Sequence, residues 1–381
     1  MLQLPPLSLY VHIPWCVQKC PYCDFNSHGL KGTIPETEYI AHLLDDLTQD
    51  LKWVQNREIS TIFIGGGTPS LLSVEGMHNL ISGIAQRAQL SEDIEVTMEA
   101  NPGTFEKDKF VGFKQAGVNR ISIGVQSFQS DKLQGLGRIH GQREAITAGT
   151  FAKEIGLCSF NLDLMHGLPG QSLQDAMSDL SQAIEIAPPH LSWYQLTIEP
   201  NTLFHSKPPT LPEDETLWDI QEKGHKLLTD NGYVQYEISA YSRPEHQCRH
   251  NLNYWRFGDY LGIGCGAHGK ITDHSQQKVF RTSKIKHPKG YMNLTKDYLH
   301  QQWDIESDEL GFEYFMNRFR LIEACPKSEF EHYTGLALSN TNIRNALQPN
   351  IDKGLLSETN SHWYVTELGK RYLNSVLESF V

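Results

Sequence analysis

Six short runs of β-branched and aromatic residues recur through the N-terminal half of this chain of 381 residues, and helix-period segments separate most of them. The runs are SLYVHI (8–13), STIFI (60–64), IEVTME (94–99), RISIGV (120–125), SFNLDLM (159–165) and LSWYQLT (191–197). Between the first two, Ile40, Leu43, Leu44, Leu47, Leu51 and Val54 share one stripe, which predicts an amphipathic helix within residues 36 to 55. Such strand–helix alternation implies parallel strands, in a βα barrel or a doubly wound sheet. The polar and glycine-rich clusters choose between the two. WCVQKCPYC, GGGTPS, ANPG, QSF, HGLPG and IEPNT each fall just past the C-terminal end of a strand. A βα barrel builds its site on that rim, because the loops there converge over the core. A doubly wound sheet would gather its motifs at one switch point. Six units rather than eight predict an α/β fold with a partial (β/α)6 barrel, open on one side.

Beyond residue 205 the rhythm changes. PPTLPEDE (208–215) reads as a connector, followed by a helix-like stretch and a strand-like YVQYEISAYS. The C-terminal residues read as helices and then strand, turn, strand, helix, a small winged-helix-like unit. The expected division is a barrel over 1–235, a connecting region over 236–305 and a mostly helical domain over 306–381. Winged helices often bind DNA, but a net charge of −12 without clustered Lys or Arg argues against nucleic acid as a partner. The N-terminus, broken at Pro5 and Pro6, lacks the basic and apolar regions of a signal peptide, and no apolar run reaches transmembrane length. A cytoplasmic place is expected. Seven cysteines in such a chain read as thiols or metal ligands rather than disulfides.

Cys16, Cys20 and Cys23 are clustered; Cys158, Cys248, Cys265 and Cys325 are scattered. A structural zinc would need a fourth ligand, and His12 or His28 could supply it. Zinc sets usually pair two short spacings far apart, whereas this C-x3-C-x2-C stands alone on a loop at the barrel mouth. An iron–sulfur cubane fits better, because three thiolates hold three of its irons and leave the fourth open to another ligand. From the residues by themselves both readings stand.

The same residues resemble the signature of the radical S-adenosylmethionine (SAM) superfamily. YVHIPWCVQKCPYCDF, followed by GGGTPS, MEANPG, GVQSF, LGRIH and DLMHGLP, is similar over essentially the whole chain to its HemN/HemW branch, which holds oxygen-independent coproporphyrinogen oxidases and haem chaperones. The resemblance implies a [4Fe–4S] cluster on Cys16, Cys20 and Cys23, with SAM on the open iron. It places Tyr10, Gly66, Gly67, Thr68, Glu99, Gln126, Arg138 and Asp163 around SAM. Their chemistry suits that place: glycines allow close backbone approach, carboxylates and amides hold hydroxyls or an amino group, and a guanidinium forks onto a carboxylate.

Two departures separate the branch's members. The oxidases carry another cysteine two positions after the third, where this chain has Phe25, and they have a longer N-terminal segment. RHNLNYWRFGDY (249–260) contains the HNxxYW motif tied in the chaperones to haem. The resemblance therefore implies a third cofactor, haem, with His250 as its ligand and Tyr254 and Trp255 against the porphyrin. It further implies acceptor haemoproteins, such as respiratory or iron-storage proteins, met in part at the inner face of the membrane. It leaves a homodimer open, and it leaves a SAM-radical oxidase of a porphyrinogen as the alternative activity. GIGCGA (262–267) formally fits a dinucleotide fingerprint, but no convincing helix or acidic residue follows, so a close-packed glycine turn is expected.

Overall fold

The structure is a computed structural model and describes residues 1–104, 106–293 and 297–380. All six predicted runs are strands: β1 (Leu7–Ile13), β2 (Ile59–Gly66), β3 (Leu90–Ala100), β4 (Arg120–Gln126), β5 (Ser159–His166) and β6 (His190–Gln195). They lie side by side in chain order and every neighbouring pair is parallel. β1 is buried at every position except the half-buried Tyr10, as expected of a parallel strand covered on both faces.

Helices α1 (Glu36–Asp50), α2 (Val74–Ala85), α3 (Lys107–Gln115), α4 (Gln142–Glu154) and α5 (Leu173–Ile186) run between these strands. α1 stops short of the predicted stripe. Leu51–Trp53 tighten into a 3-10 turn, and Gln55 and Asn56 enter the left-handed region at φ 54° and 62°, which ends the helical path. Ser73 starts α2 by accepting a 2.9 Å hydrogen bond from the Gly76 amide. Helix α6 (Asp214–Asp230) lies on the sheet at Gly224, where a Cβ would stand 1.9 Å from the Trp193 ring.

The sheet continues at both edges and does not close on itself, so the barrel is open, as the six-unit count implies. Past β6 come the antiparallel β8 (Ala240–Ser242) and β7 (Val234–Glu237). Helix α7 (Arg249–Trp255) follows them. On the other edge β9 (Asp259–Ile263) pairs in parallel with β1. β10 (His268–Asp273), β11 (Lys278–Lys284) and β12 (Leu299–Asp304) extend it as an antiparallel meander. The connecting region over 236–305 thus adds strands to both edges of the sheet. Its GIGCGA segment is a tight turn without a following helix. A Cβ on Gly262 would meet the His268 carbonyl at 1.9 Å, and Gly264 sits at φ 103°.

The C-terminal residues form helices Leu310–Arg318, Lys327–Thr334 and Thr341–Asp352. A small antiparallel sheet of Cys325–Pro326, His362–Val365 and Leu356–Glu358 completes the order of a winged helix. Its own aromatic core includes Tyr314, Phe315, Phe330 and Trp363. Leu2 is buried in this second core, and the Gln3 amide donates to the His332 carbonyl at 2.7 Å, so the first residues of the chain bind its last domain. No helix among the described residues is long and apolar enough to cross a membrane.

Candidate functional site

Cys16, Cys20 and Cys23 lie on the loop that leaves β1. Backbone bonds tie the loop to itself: Leu30 donates to the Cys16 carbonyl at 2.8 Å and Cys23 to that of Cys20 at 3.2 Å. The Asn26 amide side chain anchors it to the far edge of the sheet, donating to the carbonyls of Cys265 and Lys286, each at 2.9 Å. Gly266 is packed so close to Asn26 that a Cβ would stand 2.3 Å from its amide nitrogen. The GIGCGA turn therefore serves the cysteine loop as a seat.

The three cysteines are partly exposed, whereas Cys248, Cys265 and Cys325 are buried. All three line a cavity of about 420 Å³ over the C-terminal ends of the strands. Gly66, Gly67, Thr68, Glu99, Gln126, Arg138 and Asp163 line it too, so the structure brings together ten of the twelve residues picked out in the sequence. The glycine loop after β2 is pinned to β1: the Gly67 amide donates to the Ile13 carbonyl at 2.7 Å, and that of Thr68 to Trp15 at 2.8 Å. A Cβ on Gly67 would lie 2.5 Å from the Trp15 carbonyl, so only glycine permits this approach.

Glu99 lies next to the end of β3 and Asp163 three residues before the end of β5, both half-buried at the cavity floor. Burial, and then the negative charge of Asp163, push the Glu99 carboxyl up to about 7, although it accepts the Gly66 amide at 3.0 Å. Burial raises Asp163 as well, opposed by hydrogen bonds from Ser122 and Asn161 at 2.8 Å each. Behind Asp163 runs a buried chain in which Asn161 Oδ1 meets His190 Nδ1 at 2.6 Å and His190 Nε2 meets the Tyr236 hydroxyl at 2.8 Å. Gln126 holds a left-handed φ of 66°, unusual for a residue with a side chain, and its Oε1 accepts from the Tyr194 hydroxyl at 3.1 Å. Arg138 donates to the Gly124 carbonyl at 2.7 Å and reaches the Cys20 sulfur at 3.5 Å, while its buried Nε has no partner in the described structure.

Tyr22 and Tyr194 also line the cavity, and the sequence reading passed over both. The signal was available: Tyr194 sits near the end of a predicted strand, and Tyr22 lies between two of the cysteines.

Two predicted residues are not in this cavity. Tyr10 faces a second one, of about 810 Å³, and its hydroxyl shares a 3.0 Å hydrogen bond with His12 Nδ1. His250, expected from its motif to bind haem, lines neither cavity. It is 1% exposed, its Nδ1 bonds the Thr61 hydroxyl at 2.7 Å and its Nε2 bonds the Tyr254 hydroxyl at 2.9 Å. Burial lowers its pKa to about 3, so the ring is neutral and both nitrogens are engaged. HNLNYW is a helix, α7, whose N-terminal amides of Arg249 and His250 donate to the Glu95 carboxylate at 3.1 and 3.0 Å. Tyr254 and Trp255, from its last turn, do line the second cavity. Asp24 and Phe25 line both cavities, so the cysteine loop is the wall between them.

The residues fit a cubane. Each thiolate of a cubane binds a different iron, so the three need not converge on one ion. The rings considered for a tetrahedral zinc set point elsewhere: His12 Nε2 is bonded to the Asn26 carbonyl at 3.0 Å and His28 Nε2 to that of Lys286 at 3.3 Å.

Comparison with known proteins agrees with this geometry. Residues 10–183 match the radical SAM superfamily, and residues 305–372 match the HemN C-terminal domain. Over 381 residues and the full length of both chains, this one is 61% identical to an Escherichia coli (strain K12) protein named heme chaperone HemW. The chain belongs to the HemW family of radical SAM proteins. A Haemophilus influenzae HemW is 57% identical, with 100% of this chain and 99% of the other covered. That of Bacillus subtilis (strain 168) is 33% identical, with 98% and 99% covered. Among solved structures, E. coli coproporphyrinogen III oxidase (HemN) has a TM-score of 0.84 at 23% identity, over 99% of this chain and 90% of that one, a likeness of fold. Radical SAM membership carries a [4Fe–4S] cluster and SAM, and the first cavity has the thiolates, glycines and carboxylates to hold them.

If SAM's cationic groups lie beside Glu99, its carboxyl should make SAM binding depend on pH. Free Glu99 keeps its proton up to about pH 7. A bound sulfonium or ammonium favours the carboxylate, so binding expels that proton. Affinity should hold above that point and weaken below it, by up to about tenfold per pH unit. Calorimetric SAM titration of anaerobically reconstituted protein across this range reads the effect, and Glu99→Gln should flatten it. A flat wild-type profile would contradict it.

Proposed function

We propose that this protein is a haem chaperone that carries a [4Fe–4S] cluster on Cys16, Cys20 and Cys23, binds SAM beside it, and delivers haem to acceptor haemoproteins. It works in the cytoplasm and meets some acceptors at the inner face of the membrane. It has no coproporphyrinogen oxidase activity. The observation that carries this reading is the 61% identity, over every residue of both chains, to a protein named heme chaperone HemW. The wall between the two cavities supports it. Phe25 stands there, 55% exposed, at the position where the oxidases carry a further cysteine, and a phenyl ring neither ligates metal nor moves a proton. The first cavity suits the cluster and SAM, and the second leaves separate room for cargo.

The chain's own residues give the cluster loop a fixed frame. Asn26, the glycine turn and the Tyr10–His12 pair hold it against β1 and the β9 edge. Two assays on anaerobically reconstituted protein test the reading together. Haem should bind saturably, and coproporphyrinogen III with SAM and a low-potential reductant should yield no protoporphyrinogen IX above background. Sustained protoporphyrinogen IX formation would move the protein to the oxidases.

A further inference from the structure

We propose that haem sits in the cavity beside the cluster wall with His268 as its axial iron ligand, Tyr254 and Tyr260 beneath the ring, and Lys19 and Lys286 at its propionates. This rests on the chaperone reading above and names the site and ligand that it lacks.

At about 810 Å³ the cavity falls in the range of sites that bury a large organic ligand. Three imidazoles line it, His12, His28 and His268. His12 is occupied at both nitrogens, by Tyr10 and by the Asn26 carbonyl, and His28 uses Nε2 on the Lys286 carbonyl. Among the described residues the His268 side chain makes no hydrogen bond or ion pair; it is exposed, at the start of a strand whose next positions are buried. Its backbone is fixed at that spot by the pairing with Ser283 and by the contact with Gly262. Its unpartnered ring nitrogens are what an axial iron ligand requires.

The aromatic surface is equally prepared. Tyr254 and Tyr260 meet edge to face at 4.4 Å, and Arg281, itself paired with Glu313, donates to the Tyr260 hydroxyl at 3.0 Å. His250 braces the other side of this pair through the Tyr254 hydroxyl. That gives the motif histidine a part in haem binding without contact to iron: it is a positioning residue. For the two carboxylates of haem, Lys286 is exposed with no ion-pair partner among the described residues, and the Lys19 ammonium rests on the Phe25 carbonyl at 3.0 Å. Asp24 also faces the cavity and carries the opposing charge, so the lysines decide its sign.

The test is a hemin titration of the reconstituted protein by difference absorbance, with electron paramagnetic resonance of the ferric complex. Wild type should give a saturable imidazole-ligated signal. His268→Gln should lose that signal, shift the Soret band and weaken binding at least tenfold, while iron, sulfide and SAM binding stay at wild-type values. His250→Gln should keep the ligand signal and band position and alter affinity alone, by roughly the ten- to hundredfold seen when second-sphere partners of a metal site are lost. Lys19→Gln with Lys286→Gln should narrow the preference for hemin over its dimethyl ester. An unchanged band, signal and affinity in His268→Gln would overturn the assignment, as would loss of the ligand signal in His250→Gln but not in His268→Gln. If wild type itself takes up no haem, the chaperone reading falls, and the ligand with it.

Discussion

Cys20→Ser protein, purified and reconstituted without oxygen, will hold far less iron and sulfide than wild type, which should carry about four of each per chain. Cys20 is the sharpest of the three positions to change. Its sulfur lies 3.5 Å from the Arg138 guanidinium, so this thiolate joins the cluster corner to the cationic wall of the SAM cavity. A serine hydroxyl is a poor replacement for a soft thiolate ligand. Because the open iron is the corner that takes SAM, the same variant should lose most of its SAM affinity, a fall of at least tenfold in the calorimeter. The fold should survive, because the loop hangs on Asn26, His28 and Leu30 rather than on the thiols. Cys248→Ser is the control: that buried thiol lies 3.7 Å from the Glu95 carboxylate, outside the cavity, and iron should not change. Equal iron in Cys20→Ser and wild type would refute the cluster assignment.

Lys284→Met will destabilise the chain by about 3–5 kcal/mol, as breaking a buried ion pair by removing one partner does. The Lys284 ammonium is 1% exposed and lies 2.6 Å from Asp46 and 2.7 Å from Asp50, both on α1 and both buried. Asp46 also accepts the Tyr291 hydroxyl at 2.6 Å and the Gly264 amide at 3.0 Å, so one carboxylate joins α1, β11 and the turn that seats the cysteine loop. Burial pushes both carboxyls above the ordinary range and the lysine pulls them back. In the variant that pull is gone and their folded-state pKa values rise further above the unfolded value of about 4. A carboxyl raised on folding stabilises when protonated. The variant's deficit should therefore shrink as the solution becomes acid and grow as pH climbs through the raised folded values. Urea unfolding at several pH values measures it. Lys223→Met, which breaks an exposed pair with Asp219 on α6, should change stability by less than about 1 kcal/mol. A Lys284→Met midpoint equal to wild type would refute the prediction.

Legibility followed how local the signal was. The six core strands read clearly because parallel strands covered on both faces appear as apolar runs, and their loops carry the chemistry. The meander β9–β12 did not. KVFRTSK and LHQQWD are mostly polar and show neither a continuous apolar run nor strict alternation, although the first is almost wholly buried between its neighbours in the folded sheet. α1 was read too long because hydrophobic spacing continues to Val54 while the backbone turns at Gln55. His250 shows the limit most plainly. A motif gives residue type and neighbours, but whether an imidazole faces a cavity or is sandwiched between Thr61 and Tyr254 depends on β2, which lies nearly two hundred residues earlier.

By itself the sequence determined the strand order, the open α/β architecture and the three cysteines held on one short loop, because spacing and periodicity are properties of neighbours along the chain. Only the tertiary structure decided that this loop divides two cavities, that His250 bonds both Thr61 and Tyr254, and that the exposed His268 side chain has no hydrogen-bond or ion-pair partner among the described residues. Those outcomes depend on which distant groups bury or satisfy each side chain, and that is set when the β9 edge packs beside β1.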